Sequence, residues 1–370
     1  MVEQTKSNKK AVIKIAGAFI AWVIGSGFAT GQEVLQFMTS YGYKSYAVVL
    51  ISLIGFIALG QVLLTTGFDH KSEDSFNHFK YFCGEKLGTF YSWMIKVVLT
   101  LLMSVLISGA GATLNQYYGI NSYIGSAIVA LLVLSGYLIG FERLVRIVSA
   151  IGPIVIAFLL LVGIITMFTD FGQFGEVNKY ESILGQSQSA PHWIISSVLY
   201  LSLNFLTGST YFTMLGITAD NKKEAKYGAL FGAIALVLSI GIMNTAILLN
   251  AGNVASLEIP VLFLARKISY ILGAIFSLVL LLGMFSSCSA AMWTVCSRFK
   301  KGGEKGNKIF AVGIAIFTFV LGLFPFSGLV AVFYPFIGYI GLIFIARVAY
   351  RGVIMIRGDM EYGYHEKVKK

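Results

Sequence analysis

Charge is what this chain lacks. Only 12% of its 370 residues are charged, and 17 are Asp or Glu. With 57% hydrophobic residues and a mean hydropathy of +0.80, a soluble globular domain is excluded. Cysteine is also scarce: Cys83, Cys288 and Cys296 form neither a disulfide framework nor a CxxC zinc pattern. No HExxH and no GxxxxGK[ST] run occurs, which removes zincin and P-loop chemistry. The loop Asp69-His70-Lys71-Ser72-Glu73-Asp74-Ser75-Phe76-Asn77-His78 has metal-like spacings but reads as a solvated loop. The net charge of +11 invites a nucleic-acid reading. The basic residues sit in short stretches between apolar runs, so membrane topology explains them instead and no nucleic-acid partner is expected.

What the chain has is apolar length. Ten segments of membrane-spanning character run near 11–38, 45–67, 89–114, 122–141, 145–168, 192–217, 227–250, 268–297, 309–325 and 329–350. The first reads as a retained helix rather than a cleaved signal. The whole chain, 1–370, therefore reads as one all-α polytopic membrane domain with the lipid bilayer as its partner. Lys and Arg set the orientation: 23 of the 28 fall on one side, in Lys6–Lys14, Lys71–Lys86, Arg143 and Arg146, Lys222–Lys226, Arg298–Lys308 and Arg347–Lys370. Lys44, Lys179, Arg266 and Lys267 fall on the other, and Lys96 sits just inside the third segment, where it snorkels. The positive side is the cytoplasm, so both termini face inward and the expected location is a bacterial plasma membrane.

Two segments carry poor helix sequence at mid-depth. The first contains Gly25-Ser26-Gly27-Phe28-Ala29-Thr30-Gly31-Gln32-Glu33, and each interior Gly costs about 0.5–1 kcal/mol relative to Ala. The sixth contains Asn204-Phe205-Leu206-Thr207-Gly208-Ser209-Thr210. Both are expected to be broken helices whose freed backbone lines a cavity. Their matched places divide the chain into five-helix halves, 11–168 and 192–350, an odd-numbered repeat and hence inverted in the membrane. At the first break, N–H groups near Ser26 and Gly27 suit a carboxylate, and carbonyls near Ala21 to Ile24 suit a cation. Phe28 and Phe205, flanking the breaks, are expected as site walls, with Trp22 and Tyr211 as packing.

Glu33 is the one carboxylate well inside a span. A straight helix sets it about 12 Å outward of Gly25, in a wet vestibule, where it gates a cationic group or makes a structural pair. An intramembrane enzyme needs a second catalytic group in the spans, and Glu33 has no such partner in sequence. Gly283-Met284-Phe285-Ser286-Ser287 in the eighth segment offers hard oxygen donors at one depth. Asn250 to Lys267 contains a shorter amphipathic piece with Pro260 at its start, which reads as a lid-like surface helix.

This pattern resembles the leucine-transporter fold of the amino acid–polyamine–organocation superfamily. Along nearly the whole chain it is similar to bacterial membrane proteins of the YkvI type. The Ile24-Gly25-Ser26-Gly27-Phe28 run resembles the unwound first-helix motif of sodium symporters and amino acid permeases. The resemblance implies a secondary transporter of a small amino-acid-like or amine solute, rocking helices one, two, six and seven against the rest. It places substrate on Gly25, Ser26, Gly27, Phe28, Asn204, Phe205, Thr207 and Gly208. It places Na⁺ on Ala21, Ile24, Gly283, Ser286 and Ser287, with no other cofactor. Thr30 stands where sodium-coupled relatives keep a gating Arg, so the outer gate differs. Helix five, Val145 to Phe168, holds no Lys of the kind that replaces sodium in proton-coupled relatives. A channel or uniporter on the same scaffold, or a transporter-like sensor, are the alternatives.

Overall fold

The computed structural model describes residues 8–73, 76–139, 151–296 and 303–368. Among them every regular element is helical. The first segment gives α1 (Lys9–Val23), the single turn α2 (Ser26–Ala29) and α3 (Gln32–Phe37). Long helices follow: α4 (Ser45–Asp69), α5 (His78–Tyr118), α6 (Ser122–Ile139) and α7 (Ile151–Thr169). After the short α8 (Glu181–Gly185) come α9 (Trp193–Ile217), α10 (Lys222–Leu249), α11 (Ala251–Val254) and α12 (Pro260–Ile268). The last three are α13 (Tyr270–Cys296), α14 (Gly303–Leu321) and α15 (Phe326–Val368). Five described stretches are each long and apolar enough to cross a membrane: Thr39–Asp69, His78–Tyr118, Lys222–Leu249, Tyr270–Cys296 and Phe326–Met355. The expected fifth segment begins outside the described residues, at 145–150, as do Lys6, Arg143, Arg146, Arg298, Lys300, Lys301, Lys369 and Lys370.

Helix ends follow local chemistry. Asn8, Asn77 and Asn221 cap α1, α5 and α10, each side chain accepting a backbone N–H of the first turn. Asn221 accepts the Glu224 N–H on its Oδ1 and donates from its Nδ2 to the Glu224 carboxylate. The buried Glu224 carboxylate also accepts the Asn8 N–H at 2.8 Å, tying the start of α1 to the start of α10. Gly119, at φ 70°, ends α5 in the left-handed conformation. Pro260 opens α12, where its missing N–H costs nothing.

The helices form two groups. In one, α1, α4, α9 and α10 pack together, with Phe19 of α1 set against Gly60 of α4 and Gly232 of α10. Close approach of α4 and α9 uses Gly67 against Thr213 and Gly216 against Leu64, where a side chain would strike backbone. In the other, α5, α6, α13 and α14 share a separate apolar core around Met103, Val133, Met284, Met292 and Ala311. α15 lies chiefly along α9 and α5, and Ser202 of α9 donates to the Gly338 carbonyl of α15. We call the side on which α1 begins the near side and the opposite one the far side.

The far side is tied by a half-buried charge. Asp170 Oδ2, in the turn after α7, accepts from Lys267 Nζ and Asn250 Nδ2, each at 2.8 Å. Burial raises this carboxyl, but the Lys267 and Asn250 hydrogen bonds and the Lys267 charge outweigh it and hold it below its ordinary value. A depressed carboxylate contributes stability above its unfolded pKa of about 4 and loses it as pH falls through the lower folded value. Asp170→Asn should therefore lower the thermal midpoint at neutral pH, and the gap to wild type should narrow below about pH 4. A constant gap across that range, read by thermal unfolding in detergent, would rule out this charge as its source.

Candidate functional site

The first span breaks twice. α1 ends because Ile24 leaves helical geometry at ψ 64° and Gly25 is extended at ψ −175°. After one turn, Gly31 adopts φ 89°, a left-handed conformation open to glycine, and α3 sets off in a new direction. A Cβ on Gly31 would also come within 2.7 Å of Val261 Cγ2. Thr30 closes the second break: its hydroxyl donates to the Gly27 carbonyl at 2.6 Å and accepts the Gln32 N–H at 3.2 Å. Its own carbonyl accepts the Val261 N–H of α12 at 3.1 Å.

The expected break in the sixth segment is absent. α9 runs unbroken from Trp193 to Ile217. Its polar patch is absorbed by the helix itself, with Asn204 donating to the Tyr200 carbonyl, Thr207 to Leu203 and Ser209 to Leu206. Gly208 serves close packing, since a Cβ there would strike the Trp22 ring.

A cavity of about 740 Å³ lies at the seam between the two helix groups. Its deep end is lined by Gly27, Glu33 and Tyr334, and it reaches the near side at Phe76, Asn77 and His78. Of the expected residues it brings together Ala21, Ile24, Gly25, Gly27, Glu33, Asn204, Thr207, Gly283, Ser286 and Ser287. Phe28 and Phe205 are not among them. Both are fully buried, and Phe205 packs on Phe56 and Phe212. The roles are reversed from expectation: Trp22 and Tyr211 form the wall, stacked with ring centroids 4.7 Å apart. Gly208 and Thr30 lie outside the lining, and for Ser26 the backbone alone is described.

Glu33 is the largest correction. It is not in a far-side vestibule; the Gly31 turn folds it back beside Gly27. A Cβ built on Gly27 would come within 2.7 Å of Glu33 Oε1 and 2.8 Å of the Tyr334 hydroxyl. Glu33 is 8% exposed and Tyr334 4%. Among the described residues no ion pair includes Glu33. Tyr334 and His78 gave no sequence signal: one is a single Tyr in an apolar run, the other part of a loop set aside as solvated. His78 is in fact buried, with Nε2 3.0 Å from the Ser209 hydroxyl. Asp69 and His70 of that loop are also engaged, with Lys222 and with the Thr66 carbonyl, and no metal-type cluster occurs among the described residues.

The far end of the cavity is shut by a polar strap. Residues 257–261 are held by Gln32 on the Leu257 carbonyl, by the Thr30–Val261 bond, and by Gln116, which exchanges two hydrogen bonds with the Ile259 backbone. Glu258 accepts from both the N–H and the hydroxyl of Ser327 at the start of α15. α12, expected as a surface lid, is largely buried.

Ranged against solved structures, the chain matches MhsT in complex with L-phenylalanine with a TM-score of 0.57, at 14% identity, covering 94% of this chain and 96% of that one. The inward-facing conformation of Mhp1 gives 0.57 at 15%, covering 91% and 75%. The chain has the leucine-transporter fold. Among curated sequences it is similar to the uncharacterized membrane protein YkvI of Bacillus subtilis (strain 168), 24% identical over 355 residues, 93% of this chain and 96% of the relative. No family model matches. The chain is thus an all-helical membrane protein of this fold, and its split first span is where the cavity begins.

Two substitutions probe the break. Gly31→Ala should cost about 1–3 kcal/mol through left-handed strain, read as a lowered thermal midpoint; an unchanged midpoint would contradict the φ of that residue. Gly27→Ala should displace Glu33 or Tyr334 and remove any ligand-induced thermal shift while the ligand-free protein stays folded. Gly25→Ala should act more mildly, since its Cβ meets only the Trp22 carbonyl at 3.8 Å.

Proposed function

We propose that this protein is a secondary active transporter that moves a small amino-acid-like or amine solute by alternating access. The observation that carries this is the cavity: it sits at mid-depth, at the seam of two helix groups, strapped shut at one end and open at the other. A channel has no reason to close one end around a site built from a split helix. The likeness to structures of transporters supports the same reading and points away from an enzyme. In this reading ten spans form a 5+5 inverted repeat, near 11–168 and 192–350, in a bacterial plasma membrane. The near side is cytoplasmic, following the Lys and Arg bias, and the conformation is inward-open. The group α1, α4, α9 and α10 rocks against α5, α6, α13 and α14.

Sodium is the proposed coupling ion. Ala21, Ile24, Gly283, Ser286 and Ser287 line one cavity, and carbonyls and hydroxyls are the donor set a hard cation takes. A cation bridging α1 and α13 would join the moving group to the static one and so raise solute affinity, a linkage that is reciprocal. Solute uptake into proteoliposomes should follow an imposed Na⁺ gradient and saturate. Replacing Ser286 and Ser287 together by Ala should abolish the Na⁺ dependence. An undiminished Na⁺ response would remove the ion from this wall, and conductance without saturation would favour a channel.

A further inference from the structure

Resting on that transporter reading, we infer that Glu33 is the residue that selects substrate charge: its carboxylate takes an organic ammonium group. The chain then carries monocationic amines in preference to zwitterionic amino acids. The argument begins with burial. A carboxyl 8% exposed at the depth of a membrane is expensive as an anion unless a cation meets it, and otherwise keeps its proton. Among the described residues no Lys, Arg or His does so. The other charged or titratable side chains along the cavity that carry nitrogen are committed elsewhere. Lys96 Nζ lies 4.0 Å from the centroid of the Trp93 ring, and His78 is bonded to Ser209. The deep end therefore offers one negative group and no fixed positive one.

The form of the site selects the kind of cation. A volume of about 740 Å³ is that of a small-molecule site rather than an ion cage. Its walls are mostly apolar, with the Trp22–Tyr211 stack facing the same space. No cluster of three His, Cys, Asp or Glu is present among the described residues to hold a divalent metal. An alkyl or arylalkyl ammonium satisfies both features, with its charge on Glu33 and its body on the rings.

The same geometry disfavours a substrate carboxylate. The resemblance would seat that group on the backbone at Gly27. Here Glu33 Oε1 already lies against Gly27, at the 2.7 Å a Cβ would reach. A second carboxylate would meet the first at short range in a poorly screened site, with the Tyr334 hydroxyl also against Gly27.

The test is a matched ligand series on the full-length protein in detergent, with binding read by thermal shift and calorimetry. The probes are 2-phenylethylamine, L-phenylalanine and 2-phenylethanol, and isoamylamine, L-leucine and isoamyl alcohol. Each set shares one body and differs in its charged groups. An amine should bind, its amino acid and alcohol should not, and E33Q should weaken the amine roughly ten- to hundredfold, as for loss of a charge-assisted hydrogen bond. E33D should retain part of the affinity. The wild-type series carries the test by itself if either variant misfolds. Amino acids binding as well as the matching amines, or no amine binding at millimolar concentration, would overturn the inference. Equal amine affinity in wild type and E33Q would do so too. Amino-acid binding with saturable uptake would leave the transporter reading standing without it. Glu33-dependent amine binding with no saturable exchange in proteoliposomes would support the inference and sink the transporter reading.

Discussion

A helix in lipid must satisfy its own backbone, and this molecule is organised around the one span that does not. Between Val23 and Gln32 the first span gives up regular hydrogen bonding twice. Each freed group has to be met by something other than lipid. Thr30 meets the most: its hydroxyl takes up the Gly27 carbonyl and the Gln32 N–H, and its carbonyl takes the Val261 N–H. The far-side closure is thus a consequence of the break. The strap is bonded to the first span because the broken span has polar groups to offer. The near-side break at Ile24 and Gly25 is met differently, by opening onto the cavity.

Small residues make the two-group arrangement possible. Without a hydrophobic force between helices in lipid, packing depends on close approach. Gly67 with Gly216 along α4 and α9, and Gly111 with Gly125 between α5 and α6, bring backbones within each group together. Between the groups the wall is different: long side chains such as Met103, Leu106 and Leu203 border open space. The contrast places the cavity at the seam. Within each group glycines let the helices meet closely, and the seam is the interface lined by open space.

Much of this was legible in the sequence, and the misses have physical reasons. The limits of α4, α9 and α13 fall within about two residues of the hydropathy reading, whereas α5 begins well before its expected start and α15 runs well past its expected end. The first break was legible because glycine weakens a helix whatever surrounds it. The second was misread because Asn204, Thr207 and Ser209 are ambiguous from sequence: the same side chains that mark an unwound turn also bond back to their own helix. A straight helix would carry Glu33 outward, and one left-handed residue, Gly31, turns the chain instead. Which ring lines a cavity was not legible, because Trp22 and Phe28 differ by their angle around a helix that changes course between them. Tyr334, on α15, reaches the site through tertiary packing alone.

The strap also bears on how such a cycle is driven. It is built from Gln amides, backbone groups and the Ser327–Glu258 pair, with no Lys or Arg among the bonds described. The neutral ones are worth about 0.5–1.5 kcal/mol each net and the two on the Glu258 carboxylate about 1.5–3 kcal/mol, because water replaces them when they open. A buried ion pair resists opening far more, since separation strands charges in low dielectric. Releasing residues 257–261 toward water therefore exchanges several modest bonds for hydration. Conformations a few kcal/mol apart are what ligand binding is able to reorder. In the proposed cycle the two closures are correspondingly unequal. The near side holds charged ties in Asp69–Lys222 and in Glu224 with Asn8, which anchor helix ends within the moving group, and the far side holds one apart from the strap, Asp170–Lys267. The breakable bonds lie on the far side, between that group's broken span and elements outside it. Alternating access then requires the first span to part from its strap, and the residue at that joint is Thr30, whose carbonyl takes the Val261 N–H.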